Sequence, residues 1–150
     1  MESPRFKFGL ERVRELRAHD EDRAKEAFAA SLADRTKGAA MLAEAAARVD
    51  DAQDAQRAGA PSRSAQDLVA MQAYLERVER SREDAERELV RREAALASRR
   101  EALAEASRRR QALERLKERR RAEHALAAGR AESAFLDEVA LNQHVRRAVA

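Results

Sequence analysis

The sequence contains no cysteine, no tryptophan and no isoleucine, and only two prolines, four glycines and five aromatic residues. Without cysteine there is no disulfide, no thiolate metal site and no cysteine nucleophile, a usage that suits a reducing compartment. The scarcity of β-branched and aromatic side chains argues against pleated sheet. Leu, Val and Phe together number 26 of 150 residues. That is too few to fill a compact globular core, because each buries about 1.5–3 kcal/mol worth of surface and Ala far less. No uncharged run approaches the roughly 18–20 residues of a membrane span. The opening Met1-Glu2-Ser3-Pro4-Arg5-Phe6-Lys7-Phe8 has no apolar stretch of signal-peptide length, so a cytoplasmic location is expected.

What is abundant points one way. Ala, Arg, Glu, Leu and Lys make up 100 of the 150 residues, above the roughly 50 % that already marks a coiled coil or long helix. Disorder fits the low large-apolar content but not the net charge of only +3 or the strong helix formers. An elongated helical chain remains. Its breakers cluster at Ala58-Gly59-Ala60-Pro61-Ser62-Arg63-Ser64, where Gly59 can act as a left-handed cap and Pro61 forbids continuation. Ser64 offers an N-cap, with Asp67 favouring the helix dipole. The sequence predicts a first helix within 1–57 (from about residue 5), a connection over 58–64, and a second long helix within 65–150. The second is expected to loosen near Gly129, leaving 130–150 as a third helical piece or a frayed continuation.

The apolar spacing predicts that the two helices pair as an antiparallel coiled-coil hairpin. Leu68, Leu75, Leu89, Leu96 and Leu103 share one seven-residue column, and Met71, Val78, Ala85, Ala106 and Leu113 share the companion column. In the first helix Leu10, Val13, Ala24, Phe28, Leu32, Ala39, Leu42, Ala46 and Val49 follow steps of three and four. Consecutive fours at Ala24, Phe28 and Leu32 read as a stutter. Arg82, Arg92, Arg99 and Arg110 fall on the seam and must snorkel outward. Folding about residue 60 sets residue 8 near residue 112, so that everything beyond about 115 overhangs. An Ala/Arg/Glu helix persists only weakly alone, which implies another protein or a second copy as partner.

Catalytic constellations are missing. His19, His124 and His144 lie far apart and none has a carboxylate three residues earlier, so there is no di-iron Glu-x-x-His pair. No His-Glu-x-x-His helix, P-loop or dinucleotide turn occurs. The carboxylates sit three or four residues from Arg, as in Glu83 and Arg87, and read as solvated ion-pair faces. No catalytic residue, cofactor or metal is expected.

Between residues 108 and 121 there are eight basic residues (Arg108, Arg109, Arg110, Arg115, Lys117, Arg119, Arg120, Arg121) and two acidic ones (Glu114, Glu118). Residues 1–60 carry 11 basic and 12 acidic side chains, so the charge is uneven along the chain. The block reads as a solvated face, as a dock for an acidic protein, or as a site for nucleic acid or lipid headgroups. The absence of aromatics and the interspersed Glu weaken the nucleic-acid reading. Phe6 and Phe8, before Leu10 and Val13, read as a packed helix end or as a binding plug. Tyr74, beside Leu75, either shields the seam or touches a partner.

Taken in order, these segments resemble the flagellar export protein FliJ family. Residues 5–17, Arg-Phe-Lys-Phe-Gly-Leu-Glu-Arg-Val-Arg-Glu-Leu-Arg, are similar to its aromatic, basic entry into a charged Leu/Val helix. Residues 113–121, Leu-Glu-Arg-Leu-Lys-Glu-Arg-Arg-Arg, with Glu123-His124, resemble its late basic helix. Leu136-Asp137-Glu138-Val139-Ala140 followed by Arg146-Arg147 resembles its ending. The resemblance implies an antiparallel hairpin similar to the stalk of rotary ATPases. It further implies a non-catalytic adaptor on the cytoplasmic face of the inner membrane, with three partners: a hexameric export ATPase, the membrane export gate and export chaperones. The alternatives are a coiled coil that binds nucleic acid or anionic membrane, and a generic scaffold dimer. A further alternative is an injectisome counterpart of the same architecture.

Overall fold

The computed structural model describes residues 5–59 and 63–149; Pro61, central to the expected break, lies outside them. Among the described residues there are two helices, α1 (Glu11–Gly59) and α2 (Ala65–Val149), of 49 and 85 residues, and no strand. The protein is an all-α helical hairpin whose second helix is the longer.

The helix ends differ from expectation for local reasons. Residues 5–8 are not helical, and a turn at Gly9-Leu10 leads into α1. There the Glu11 amide donates to the Phe8 carbonyl at 3.2 Å and the Arg14 amide to the Leu10 carbonyl at 2.9 Å. At the other end Gly59 is not a left-handed cap, since no glycine among the described residues has a positive φ. It is the last helical residue. Arg63 Nη2 donates to the Ala55 carbonyl at 3.1 Å, four residues before the helix end, and a Cβ on Gly59 would overlap the Arg63 guanidinium. Glycine serves close approach here rather than an unusual backbone. Ser64 and Asp67 form a reciprocal cap on α2: the Asp67 amide donates to Ser64 Oγ and the Ser64 amide to Asp67 Oδ2, both at 3.2 Å. The hydrogen bonds from Ser64, side chain first, hold the Asp67 carboxyl below its ordinary value. Gly129 lies within α2, which continues through it.

The contacts divide into two units, Met1–Glu21 with Ala106–Ala150, and Asp22–Glu105. In the second unit the antiparallel seam is a strict heptad. On α1 its columns are Phe28, Arg35, Leu42, Val49, Gln56 and Ala24, Ser31, Gly38, Ala45, Ala52, Gly59, every one buried or half-buried. The stutter inferred from Ala24, Phe28 and Leu32 is absent. Leu32 is exposed and Ser31 takes the seam place, because an Ala-rich interface admits small polar side chains that an apolar criterion passes over. On α2, Leu75 and Val78 pack on Val49 and Ala52 as the central cluster. Met71, Ala85, Leu89, Leu96 and Leu103 are half-buried, while Leu68 is exposed. Arg82 and Arg99 turn out to solvent as expected, whereas Arg92 is half-buried. Its stem crosses Gly38, whose missing Cβ makes room, and its Nη1 donates to the Asp34 carbonyl at 3.0 Å.

The register also differs. Paired residues in each unit centre on residue 64, as in Arg35 with Glu93, and Glu21 with Ser107. Residue 8 therefore does not meet residue 112, and the stretch of α2 without a neighbour among the described residues begins beyond residue 127 rather than near 115. The alignment follows the cross-helix pairs, Arg35 with Glu93, Arg14 with Glu114 and Lys117 with Glu11, rather than the place of the breakers.

Candidate partner-binding surfaces

In the first unit the seam is held by charge. Lys117 Nζ lies 2.9 Å from Glu11 Oε2, and Arg14 Nε donates to Glu11 Oε1 at 2.9 Å. Arg14 Nη1 reaches Glu114 Oε1, also at 2.9 Å, and Arg110 Nη1 approaches the same oxygen at 3.9 Å. Arg110 Nε pairs with Glu21 Oε2, and Ser107 Oγ donates to Glu21 Oε1 at 2.8 Å. Seven side chains thus form an alternating ladder across the two helices. Glu21 is the one buried charged residue among those described, at 6 % exposure. The hydrogen bonds from Arg14 and then Lys117 push the Glu11 carboxyl down to about 2, and those to Glu11 and Glu114 raise the Arg14 guanidinium further.

This ladder sorts the basic block. Arg110 and Lys117 face the seam and are engaged within the chain. Arg108 and Arg109 are exposed, and each also makes an interaction within the chain. Arg120 pairs with Glu123 at 3.5 Å at the seam's edge. Arg115, Arg119 and Arg121 are exposed. At 3.6 residues per turn, Arg108, Arg115 and Arg119 share the face of α2 directly opposite Arg110 and Lys117. That face includes Ala112 and Ala122 and carries no carboxylate from residue 108 to 122.

Phe6 and Phe8 lie half-buried in the non-helical entry, which follows α2 from Leu116 to Ala127. The Phe6 ring meets His124 at 5.6 Å between centroids and 60° between planes. This is the tilted packing that aromatic rings favour, so the packed-end reading accounts for Phe6. Tyr74 belongs to the other unit and is 44 % exposed beside buried Leu75.

Glu11, Arg14 and Glu21 were passed over by sequence reasoning, although their signal was present. Heptad columns through Arg14-Glu21 and Arg110-Lys117 carry complementary charges at facing positions. Beyond Ala127, α2 has no neighbour among the described residues and exposes Phe135, Leu136, Leu141 and Val145. No group of His, Asp and Glu among the described residues could hold a metal, and no helix is long and apolar enough to cross a membrane.

A family model described as flagellar FliJ protein matches residues 6–148. No curated protein and no solved structure matches the chain. The match spans both helices and the aromatic entry, and it agrees with the hairpin of unequal arms built above. The chain belongs to the flagellar FliJ protein family, a component of flagellar protein export.

Proposed function

We propose that the protein is a non-catalytic stalk and adaptor of the flagellar export apparatus, engaging a hexameric export ATPase through its first unit. The observation that carries this is the carboxylate-free face of α2, with Arg108, Arg115 and Arg119 directed away from the seam. Arg109 and Arg121 lie on the sides of α2 between this face and the seam. Such a face attracts an acidic surface and speeds encounter more than it adds affinity. Arg110 and Lys117 support it by fixing α2 in register, and Arg120 pairs with Glu123 along α2. Phe6 and Phe8 anchor the entry beside it. Tyr74, in the other unit, is a separate contact for the export gate or for an export chaperone. The adaptor works in the cytoplasm, peripherally associated with the membrane at the export gate.

The test mixes the full chain with the cognate ATPase and measures hydrolysis and ring assembly. Stimulation of both is expected. Replacing Arg115 and Arg119 with Glu is expected to weaken the stimulation at least ten-fold while helical circular dichroism is retained. Unchanged hydrolysis and assembly overturn the reading. Salt-dependent binding to RNA or anionic vesicles instead, with a slope of several phosphate contacts, identifies the Arg face as a polyanion site.

A further inference from the structure

The seam of α2 does not end where α1 ends. In the first unit its two columns run through Arg110, Lys117 and His124, and through Leu113 and Arg120, where α1 and the entry segment lie against them. Continued in the same steps of three and four, they pass through Ala131, Ala134, Glu138, Leu141 and Val145, all exposed, with Leu141 at 66 % and Val145 at 58 %. Small and aliphatic residues occupy four of these five places. The fifth is an acid. Three charge pairs span this unit's seam from helix to helix: Glu21 takes Arg110, Arg14 takes Glu114, and Lys117 takes Glu11. Glu138 has no ion pair among the described residues.

We infer that residues 131–145 of α2 form a docking seam for an amphipathic helix of another protein, laid along the line that α1 vacates and carrying a Lys or Arg opposite Glu138. Fourteen residue steps give the seam a length of about 21 Å, enough for a partner helix of about four turns. Continuity with the intramolecular seam supplies the packing geometry. The Ala positions allow close approach, and Leu141 and Val145 supply the apolar contact. A second copy of this chain fits poorly. Parallel pairing sets the two Glu138 side chains face to face, and full antiparallel overlap brings them within one turn, with like charges at a desolvated seam in both cases. The inference stands on the seam and does not require the ATPase reading.

The test uses the full chain and two labelled synthetic helical peptides of about 18 residues, each with Leu and Ala in steps of three and four. One carries a single Arg at the position facing Glu138, the other Glu. Fluorescence anisotropy is expected to show the Arg peptide binding at least ten-fold more tightly. Hydrogen exchange is expected to show protection of residues 131–145 on binding, and Glu138→Arg to reverse the preference between peptides. Failure of the Arg peptide to bind, equal binding of both peptides, or protection confined to other residues overturns the inference. So does sedimentation showing that the free chain dimerises through this stretch.

Discussion

Glu21 and Arg110 meet across the seam of the first unit, the carboxylate 6 % exposed and also receiving the Ser107 hydroxyl at 2.8 Å. Removing one partner of such a pair strands the other. Glu21→Ala should cost about 1–3 kcal/mol, because it leaves a part-buried guanidinium and a hydroxyl without their acceptor. The double substitution Glu21→Leu with Arg110→Leu should recover most of that loss, since apolar side chains of similar volume often replace a buried pair without penalty. Urea unfolding of the two single variants and the double variant gives the coupling energy. Additive losses would show that the pair is not coupled.

Acid should loosen the same ladder at its other end. The Glu11 carboxyl falls from 4.5 to about 2 through its hydrogen bonds with Arg14 and Lys117. Its stabilising contribution is therefore complete above pH about 4.5 and disappears as the pH falls through about 2. Melting temperatures of the wild type and of Glu11→Gln should differ most at neutral pH and converge as pH 2 is approached. A constant gap across that range refutes the assignment.

Gly38 and Arg92 make a second coupled pair. A Cβ on Gly38 would stand 2.9 Å from Arg92 Cδ and 3.4 Å from Leu89 Cδ1. In an unobstructed helix interior, Gly→Ala stabilises by about 1 kcal/mol. Gly38→Ala alone should realise little of this. In an Arg92→Ala background the same change should realise nearly all of it, as measured by thermal unfolding of the four proteins.

The start of α2 depends on Ser64. Ser64→Ala removes the acceptor for the Asp67 amide and should destabilise by about 1 kcal/mol. Ser64→Asp, which restores an acceptor oxygen, should recover part of it. Equal stability of Ser64→Ala and the wild type would show that this cap contributes nothing.

The hairpin was legible because Leu75, Leu89, Leu96 and Leu103 repeat every seven residues and because breakers cluster once. The cap at Ser64 was legible for a similar reason: its chemistry is local. The register was not, because it depends on which side chains meet across the helices, as Arg35 meets Glu93 and Glu21 meets Arg110, and not on where the breakers stand. Nor was the division of the basic block. Arg110 and Arg115 are alike in the sequence and separate only when the facing helix supplies Glu21 to one of them. A criterion based on apolar residues alone also lost Ser31, Arg35 and Gly38 from the seam, since in an Ala-rich interface small size and matched charge do the selecting.

Interfaces lined by alanine are forgiving of alignment, for one methyl resembles the next. The rungs between Glu11 and Lys117 remove that tolerance. A slip of seven residues in one direction sets Arg14 against Arg121 in place of Glu114, and a slip in the other direction takes Arg110 away from Glu21. Here charge acts as a vernier on the two arms, and through it the distance by which α2 outreaches α1 is kept to a single value.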